Sequence, residues 1–330
     1  MIKFAITGAG FISKIHAKAL QSLPDVELVA LVERFTKTAL PFKDQFGVKN
    51  HYKTINDLLE KVDIDALIVG TPNFLHAPQA IAALTAGVHV MVEKPMAMNA
   101  REAYLTLEAS QKSGALLMVA HCWRFDPEVM WLKDQVEAGR FGKIIRTKGY
   151  GVHENWGPSG WFTQKKWAGG GALADMGVHA LDTARFLLGD PLPESVYARI
   201  GTYYTKCDVD DTGTLLVNWR GGVQSYIEAG WWQPHSDGPE AATQIYGDKG
   251  FGQLFPTYII DQAGKDDPGF THPRLEHAPQ SLYDQQMRYF IECIHEHRTP
   301  TPGAIEGWIN MKIVDAAYKS SKTGKVIDIK

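Results

Sequence analysis

An alternation of short apolar runs with helical patterns over the first 120 residues constrains the fold most strongly. Five runs have the length and the β-branched or apolar character of buried strands: "IKFAIT", "VELVALV", "DALIVG", "VHVMVE" and "ALLMVA". The stretches between them have the period of amphipathic helices. Because parallel strands need crossover connections, this order predicts a βαβ series and a mostly parallel sheet covered by helices on both faces.

After "HCWRFDP" at residues 121–127, the sequence pattern changes to one typical of antiparallel strands. An alternating run at 214–219, then Gly221-Gly222, then "VQSYIEAGWW" predicts a tight hairpin, and further strand-like runs lie at 143–150 and 195–204. The polar, proline-bearing stretch 262–281 is predicted to be a long loop. Two amphipathic helices close the chain, on apolar stripes formed by Tyr283, Met287, Phe290, Ile291 and Ile294, and by Ile305, Ile309, Ile313 and Ala316.

Two domains are therefore expected in this chain of 330 residues. The first, residues 1–120, is an α/β domain with the doubly wound parallel sheet of the Rossmann type. The second, residues 121–330, is an α+β domain with a large, mostly antiparallel sheet.

Charge, hydropathy and cysteine usage exclude several classes of protein. The 34 basic and 37 acidic residues give a net charge of -3 with no long run of either sign, so nucleic acid is not an expected partner. No apolar stretch approaches the roughly 20 residues needed to cross a bilayer, and the N-terminal run is broken by glycines, so we expect a soluble chain without a signal peptide. Cys122, Cys207 and Cys293 form no CxxC pair, which fits a reducing cytoplasm.

The stretch "GAGFIS" at residues 8–13 follows a predicted strand and opens a predicted helix. Gly8 permits a tight turn, and Gly10 lets the backbone approach a pyrophosphate at the positive end of the helix that Phe11 and Ile12 begin. The third motif position is Ser13, which is small enough for close helix packing although it is not glycine. This turn predicts a dinucleotide-binding site.

Glu33 ends the second strand, 20 residues beyond Ser13, where an acidic side chain commonly accepts hydrogen bonds from the ribose hydroxyls. A carboxylate there repels a 2′-phosphate, so NAD is expected over NADP. Arg34 keeps NADP possible, since its guanidinium could pair with that phosphate or stack on adenine. A surface Glu-Arg pair without function is the alternative.

The run "AGVHVMVEKPMAMN" at residues 86–99 ends a buried strand in Glu93, Lys94 and Pro95. Ligands bind at the carboxyl ends of strands in an open parallel sheet, so Lys94 could face a substrate. A solvated strand end followed by a turn proline is the alternative.

The stretch "GGGALADMGVHALDTARFLLGD" at residues 169–190 leads from a glycine run into an amphipathic helix that is predicted to end at Gly189. Asp175, His179 and Asp182 share a face with Phe186 and are predicted to point into solvent or a cleft. The opposite, core-facing stripe contains Ala180, Leu181, Ala184, Leu187 and Leu188.

A histidine at such a position can take a proton from a secondary alcohol while hydride leaves the carbon. Asp175 would orient His179, and a lysine aimed at the same oxygen, such as Lys94, would stabilise the developing alkoxide. A plain solvated helix face is the alternative. No metal is expected, because no additional ligand cluster accompanies Asp175 and His179.

These motifs resemble the glucose-fructose oxidoreductase, inositol dehydrogenase and MocA family of NAD(P)-dependent oxidoreductases. The resemblance covers nearly the whole chain. It rests on "GAGFIS", "TPNFLHAPQAIAALTAGVHVMVEKPMA", "HCWRFDP", "GGGALADMGVH" and "YDQQMRYFIECIHEHRTPTP".

The resemblance implies roles for the site residues. Lys94 would contact substrate, the peptide bond before Pro95 would often be cis, and His179 of the Asp-x-x-x-His pair would be the acid/base. Glu93, Lys94 and Pro95 would form the seam where cofactor and substrate meet, and a loop of Thr71, Pro72 and Asn73 would line the nicotinamide side. His76 is interpreted as structural.

The second domain would bind substrate and pair with other subunits. Arg124 and Trp161 are expected to contact a sugar or cyclitol, because such a ligand offers both CH patches and hydroxyls. Trp156, Lys166, Trp167 and the run Trp231-Trp232-Gln233 lie in similar regions, although tryptophans also fill cores and interfaces. A homodimer or homotetramer is the expected assembly.

The resemblance favours a dehydrogenase that moves a hydride between nicotinamide and a secondary alcohol or ketone of a sugar, cyclitol or related polyol. A glycosidase that uses bound NAD in a transient oxidation is an alternative from another reaction class. A non-catalytic nucleotide sensor on the same fold is the third hypothesis.

Overall fold

The computed structural model describes residues 1–234, 238–261, 269–275 and 279–330. Within these ranges the helices are α1 (Phe11–Gln21), α2 (Thr36–Phe46), α3 (Ile55–Lys61), α4 (His76–Thr85), α5 (Ala100–Ser113), α6 (Pro127–Glu137), α7 (Lys165–Ala168), α8 (Val178–Leu187), α9 (Ser281–Glu296) and α10 (Ala304–Thr323). The strands are β1 (Ile2–Thr7), β2 (Val26–Val32), β3 (Asn50–Tyr52), β4 (Ala66–Val69), β5 (His89–Glu93), β6 (Leu117–Ala120), β7 (Ile144–Glu154), β8 (Pro193–Gly201), β9 (Thr212–Trp219), β10 (Gln224–Gln233), β11 (Ala241–Gly247), β12 (Gly250–Leu254), β13 (Tyr258–Asp261), β14 (Gly269–Thr271) and β15 (Ile327–Asp328). No described helix combines the length and apolar composition that crossing a membrane requires.

The chain divides into two compact units. The first unit contains Met1–Cys122 and Ala278–Trp308, and the second contains Trp123–His277 and Ile309–Lys330. The segment from residue 278 to 308, which the sequence analysis assigns to the second domain, thus groups with the N-terminal strands. The division of the chain at residue 120 into a cofactor domain and a substrate domain stays a prediction.

The sheet of the first unit confirms the predicted doubly wound arrangement. Its described strands lie in the order β3-β2-β1-β4-β5-β6, and all neighbours are parallel. β3 was not predicted because its three residues are too few to show a pattern. β1 lies between β2 and β4, where the strand order reverses, and the carboxyl ends of strands at such a switch point are where ligands bind in open sheets.

Helix α9 completes the first unit from the C-terminal half of the chain. It packs on α1, and the ring of Phe290 meets the ring of Phe4 of β1 edge-on at 6.4 Å. The connection between α9 and α10 runs beside β6, where Val119 donates its N–H to the carbonyl oxygen of Pro302 at 2.9 Å. Of the apolar stripe predicted on α9, Met287, Phe290 and Ile294 are buried, and Tyr283 and Ile291 are half-buried.

The sheet of the second unit is large and mostly antiparallel, as predicted. Its described strands lie in the order β14-β13-β12-β11-β7-β10-β9-β8-β15. Only the β7 and β10 pair among them is parallel. The predicted hairpin is β9 and β10, joined through Gly221 and Gly222, which have φ angles of +98° and +85°.

The loop prediction for residues 262–281 is wrong at 269–271, where β14 pairs with β13. A three-residue strand at a sheet edge carries too little pattern to be seen in the sequence. Residues 262–268 and 276–278 of this stretch lie outside the described residues.

One face of the second sheet is covered by helices. α8 packs on β7, β10 and β11, and α6 packs on α8 and β12. An apolar cluster fills the space between them, formed by Val129, Leu132, Phe141, Leu187, Ile245, Leu254 and Ile259. Buried and half-exposed residues alternate along β9, so the opposite face of the sheet stays more open.

Three buried polar side chains link the central strands of this sheet. The hydroxyl of Ser225 on β10 accepts a hydrogen bond from the indole N–H of Trp219 at 2.7 Å and lies 2.7 Å from the hydroxyl of Thr147 on β7. All three side chains are at most 1% exposed. Ser225 is thus the shared partner of two otherwise enclosed groups.

We predict that Ser225→Ala lowers the free energy of unfolding by about 1–3 kcal/mol, because it leaves the Trp219 and Thr147 groups buried without their partner. Urea unfolding followed by circular dichroism measures this change. Ser195→Ala on β8 is the control, since its hydroxyl accepts from Asn218 in a half-exposed position. Equal losses for the two variants would contradict the account.

Candidate active site

In the glycine turn after β1, a Cβ atom would clash at Gly8 but would lie in free space at Gly10. Gly8 has a φ angle of +84°, and a Cβ there would lie 2.8 Å from the carbonyl oxygen of Gly70. Around Gly10, the residue before α1, a Cβ would meet nothing within 4 Å. The turn therefore requires glycine at position 8 for its shape, and its free space lies at position 10.

The first turn of α1 begins with Phe11, which is 81% exposed, and Ile12, which is half-buried. Ser13 is fully buried, and its hydroxyl lies 3.3 Å from the carbonyl oxygen of Gly70. The third position of the glycine motif thus packs α1 closely against the end of β4, as a small residue should.

Glu33 lies beside the glycine turn, as its spacing predicts. Its carboxylate accepts the N–H of Ala9 at 3.1 Å and the N–H of Phe35 at 2.9 Å. Arg34 is exposed, with its guanidinium carbon 5.8 Å from the ring centroid of Phe35. The Glu33 carboxylate is therefore fixed at the end of β2, while Arg34 faces solvent.

His76 joins the ends of two parallel strands. Its Nε2 lies 2.7 Å from the carbonyl oxygen of Thr71, after β4, and its Nδ1 lies 2.8 Å from that of Pro95, after β5. Carbonyl oxygens only accept, so both bonds form together only when both ring nitrogens carry protons. Burial lowers the pKa of His76, while the two carbonyl oxygens act in the opposite direction.

The loop after β4 is also tied to β1. Gln79 accepts hydrogen bonds at one side-chain oxygen from the hydroxyls of Thr71 at 3.0 Å and Thr7 at 2.7 Å. Pro72 accepts the N–H of Leu75 at 2.9 Å, and Asn73 is 6% exposed. The predicted Thr71-Pro72-Asn73 loop is thus held against the neighbouring strand ends.

Glu93 is buried beneath the backbone at Lys94. One carboxylate oxygen lies 2.8 Å from Nε2 of His16 on α1, and the other accepts the N–H of Lys94 at 3.2 Å. Lys94 itself is half-buried, and the peptide bond between Lys94 and Pro95 is cis. The strand end that carries Lys94 is therefore anchored by a charged group inside the first unit.

In the second unit, the buried carboxylate of Asp210 binds the backbone at the end of the glycine run, Gly169-Gly170-Gly171. Asp210 accepts the N–H of Gly171 and the N–H of Leu173, each at 2.8 Å, and the hydroxyl of Tyr318 at 2.7 Å. A Cβ on Gly171 would lie 1.8 Å from the carbonyl oxygen of Asp210, and a Cβ on Gly170 would lie 2.2 Å from the Tyr318 hydroxyl. Only glycine allows this approach.

The predicted helix forms in two parts after the glycine run. Leu173–Gly177 is a π-helical turn that carries Asp175, and α8 follows with His179 in its first turn. The indole N–H of the fully buried Trp231 donates to Asp175 at 3.1 Å. The ring of His179, which is 7% exposed, stacks on Trp123 at 4.7 Å with an interplanar angle of 17°. Both side chains therefore have fixed partners.

Arg124 has structural partners in the second unit, and its role in binding substrate stays a prediction. Its guanidinium donates to Asp182 at 2.6 and 2.8 Å and to Asp190 at 2.8 and 2.9 Å. Arg124 is 2% exposed, and although burial acts to lower its pKa, the two carboxylates raise it overall.

Asp182 does not point into solvent or a cleft, contrary to the prediction. It is 1% exposed and takes a further hydrogen bond from the amide of Asn310 at 2.9 Å. Its helix face is covered because the Arg124 guanidinium occupies it. Asp182 therefore has different partners from Asp175 and His179, the other members of the stripe.

Comparison with known proteins identifies the family. The profile of the oxidoreductase family with the NAD-binding Rossmann fold, GFO_IDH_MocA, matches residues 2–121, and the GFO/IDH/MocA C-terminal domain matches residues 129–251. The chain belongs to the GFO/IDH/MocA oxidoreductase family. The resemblance stated from the motifs is thereby confirmed, together with an NAD-binding Rossmann domain and the class of oxidoreductase.

Relatives of this GFO/IDH/MocA chain match over almost its full length. A D-glucoside 3-dehydrogenase of Escherichia coli (strain K12) is 29% identical over 346 residues, with 99% of this chain and 97% of the relative covered. A scyllo-inositol 2-dehydrogenase (NAD(+)) of Bacillus subtilis (strain 168) is 25% identical over 335 residues, with 99% and 96% covered. A solved levoglucosan dehydrogenase, in complex with NADH and levoglucosan, superposes with a TM-score of 0.91 at 24% identity, and 99% of each chain is covered. The structural likeness shows the fold.

The residues predicted for a GFO/IDH/MocA site fall into two groups. The glycine turn, Glu33, the loop after β4 and Lys94 lie in the first unit, and Asp175 and His179 lie in the second. Trp161, also in the second unit, stacks on Phe162 with ring centroids 3.8 Å apart. Within the described part of the chain, no group of three or more histidine, cysteine or acidic residues could hold a metal ion.

Sequence reasoning missed residues that hold this site from a distance. Asp210 and Tyr318 lie outside the motifs, and no role was predicted for Trp123 within "HCWRFDP"; each contacts the helical segment from a remote part of the chain. The adjacent acids in "DVDDTG" and the isolated tryptophan in "HCWRFDP" were the available signals. Neither signal names a partner, so the contacts could be found only in three dimensions.

We predict that Arg124→Met lowers the free energy of unfolding by about 3–5 kcal/mol, because it leaves the buried Asp182 carboxylate without its cation. Arg140→Met is the control: its pair with Asp261 is about one-third exposed, so its loss should cost less than about 1 kcal/mol. Urea unfolding compares the two variants. A stable Arg124→Met protein that had lost only substrate binding would support the substrate-binding hypothesis.

Proposed function

We propose that the chain is an NAD-dependent dehydrogenase that oxidises a secondary hydroxyl of a sugar, cyclitol or related polyol, or reduces the matching ketone. The observation that carries the proposal is the pair Asp175 and His179, each held by an indole, on a helical segment that begins at an anchored glycine run. The matching relatives named as dehydrogenases of a glucoside and an inositol support this substrate class.

The glycine turn fits the dinucleotide. The open space at Gly10 and the first N–H groups of α1 suit a pyrophosphate, because backbone amides at a helix N-terminus favour an anion. Glu33 would accept from the ribose hydroxyls, and Thr71, Pro72, Asn73 and the backbone near Glu93 would line the nicotinamide. When bound, NAD supplies the ring carbon that accepts the hydride.

Three side chains would act on the substrate oxygen. His179 accepts the hydroxyl proton as hydride leaves the carbon, and its stack on Trp123 fixes the plane of the ring. Asp175 stabilises the charged form of the histidine from the orientation that Trp231 gives it. The Lys94 ammonium stabilises the alkoxide while it forms.

NAD is proposed as the preferred cofactor. The Glu33 carboxylate is fixed beside the glycine turn by two backbone N–H groups, so it cannot move away from a 2′-phosphate without losing both bonds. Arg34 is exposed and able to swing toward the same position, which keeps NADP as a weaker alternative.

A cytoplasmic location is part of the proposal. Cys122, Cys207 and Cys293 are free thiols. Burial raises the pKa of Cys122 to about 12, so this thiol stays protonated and is a poor partner for disulfide exchange. Such chemistry suits a reducing compartment.

The assembly is proposed to be a homodimer or homotetramer that pairs through the open face of the second sheet. Neighbouring strands there align Tyr197, Leu216 and Tyr226, with Tyr197 37% and Tyr226 36% exposed. The proposed partner on this face is a second copy of the chain, because pairing of two identical faces buries the exposed aromatic side chains of both copies at once. Further aromatic contacts across β11 to β14 extend the face through Tyr246, Phe251, Tyr258 and Phe270.

The activity is tested by absorbance at 340 nm. The protein is mixed with NAD or NADP and a panel of sugars, glycosides, inositols and sugar acids, after co-purified cofactor has been removed. We expect NADH to form with a member of this panel, and Lys94→Met to lower kcat by about a hundredfold while NAD binding is kept. Lys112→Met on α5 is the control, because its exposed ammonium pairs with Glu108 of the same helix.

Three outcomes of this screen would contradict the proposal or one of its parts. Wild-type activity in Lys94→Met would remove the assignment of the lysine. Hydrolysis of a chromogenic glycoside without net NADH would favour the glycosidase, and NAD binding without turnover of any compound would favour the sensor.

We predict that Asp210→Asn lowers kcat, because its amide NH₂ would face a backbone N–H of Gly171 or Leu173 and shift the start of the catalytic segment. A displacement of about 1 Å can cost about a hundredfold in rate. Tyr318→Phe should lose less, since it removes one hydrogen bond and adds no repulsion. Steady-state kinetics measures kcat, and titration measures NAD affinity, for both variants. A loss of NAD affinity in Asp210→Asn as large as its loss of kcat would contradict a role confined to this segment.

We predict that Tyr226→Glu reduces the mass of the assembly measured by size-exclusion chromatography with light scattering. A carboxylate in the centre of the aromatic row would be desolvated on pairing, which opposes association. Tyr104→Glu on α5, which replaces a tyrosine that is 47% exposed, is the control. A wild-type protein that is monomeric at micromolar concentration would contradict the proposed assembly.

A further inference from the structure

We infer that Trp156 forms a second sugar subsite, so that the substrate has two linked rings, as a disaccharide does, rather than a single ring. The inference rests on the proposed function and adds the class of polyol to it. It depends on four side chains of the second unit: Trp156, His153, Glu240 and Trp232.

Trp156 is a fixed platform with one covered face. Its indole stacks on His153 of β7 at 3.7 Å with an interplanar angle of 13°, and its N–H donates to a carboxylate oxygen of Glu240. The side chain is nevertheless 49% exposed. An indole held by a stack and a hydrogen bond is ordered before a ligand arrives, so little conformational entropy is lost on binding.

The platform is joined to Asp175 through two consecutive residues of β10. Trp231 donates its indole N–H to Asp175 at 3.1 Å, and Trp232 donates its backbone N–H to the carbonyl oxygen of Trp156 at 2.7 Å. The rings of Trp231 and Trp232 meet edge-on at 5.9 Å. A series of contacts therefore runs from Asp175 through Trp231 and Trp232 to the backbone of Trp156.

Local backbone geometry keeps this order fixed. A Cβ on Gly157 would lie 2.7 Å from the indole of Trp232, so the glycine lets the chain pass directly against that ring. Asn155 and Trp232 both have positive φ angles, of 56° and 53°. The N–H of Asn155 also donates to the carbonyl oxygen of Gln233 at 2.9 Å. The turn after β7 is thus bonded to the end of β10 on both sides of Trp156.

The chemistry of the platform fits a second pyranose ring. An aromatic face packs well against the CH face of a sugar, and a carboxylate accepts strong hydrogen bonds from hydroxyl groups. Glu240 holds the indole through one oxygen, which leaves the other carboxylate oxygen beside the platform. Since Trp231 and Trp232 stand between Asp175 and Trp156 in this series of contacts, we expect a second, linked ring to be the part of the substrate that reaches the platform.

The test compares substrates that contain one sugar ring with substrates that contain two. NADH formation at 340 nm is measured with glucose, methyl β-glucoside and cellobiose, and with maltose to vary the linkage. We expect a disaccharide to have the higher kcat/KM, mainly through a lower KM. In Trp156→Ala the ratio of disaccharide to monosaccharide kcat/KM should fall about tenfold, the effect of losing one stacked ring.

Matched variants isolate the platform. Trp156→Phe keeps an aromatic face without the N–H and should restore part of the ratio. Tyr104→Ala removes a similarly exposed aromatic side chain from the first unit and should leave the ratio unchanged. Isothermal titration of cellobiose and maltose into wild type and Trp156→Ala measures the subsite without turnover.

Three outcomes would overturn the inference. These are a wild-type protein that shows no preference for either disaccharide, an unchanged ratio in Trp156→Ala, or a variant that changes only the assembly mass. Absence of NADH with every compound would instead contradict the proposed dehydrogenase. Titration then decides the subsite separately: Trp156-dependent binding of a disaccharide supports it, and its absence rejects it.

Discussion

The candidate site depends on one buried contact, the carboxylate of Asp210 lying across the glycine run. It satisfies two backbone N–H groups at the start of the helical segment and the hydroxyl of Tyr318. Burial raises the pKa of Asp210, and the three donors oppose that shift by stabilising its charge. Because the first residues of a helix have no intrahelical partner for their N–H groups, this carboxylate decides where the segment begins. The positions of Asp175 and His179 follow from that starting point.

The first unit uses the same kind of support at the ends of its parallel strands. His76 lies within hydrogen-bond distance of the backbone after β4 and β5. Gln79 accepts hydrogen bonds from the hydroxyls of Thr7, at the end of β1, and Thr71, after β4, and Glu93 accepts the N–H of Lys94. Each support is a buried polar group whose partners are fixed, which makes the surrounding backbone rigid. Both units therefore place the proposed reactive groups on backbone that is held by buried hydrogen bonds.

Periodicity in the sequence was sufficient to predict the parallel sheet, the β9–β10 hairpin and the C-terminal helices, because each depends on local pattern and burial. Spacing was sufficient to put Gly8 in the turn after β1, Glu33 beside that turn, and Asp175 and His179 on one helical segment. The ion pairs of Arg124 were not predicted because a charged side chain does not reveal its partner, and its carboxylates lie 58 and 66 residues away. The short strands β3 and β14 carry too few residues for any pattern.

The central claim is that hydride passes directly from a ring carbon of the substrate to the nicotinamide. The most direct measurement uses methyl glucoside with deuterium on every ring carbon, incubated with NAD and the protein, followed by mass spectrometry and proton NMR of the cofactor. The account predicts NADH with one deuterium at C4 of the nicotinamide, and a strong loss of this transfer in His179→Asn. Product formation with an unlabelled, fully oxidised cofactor pool would contradict it.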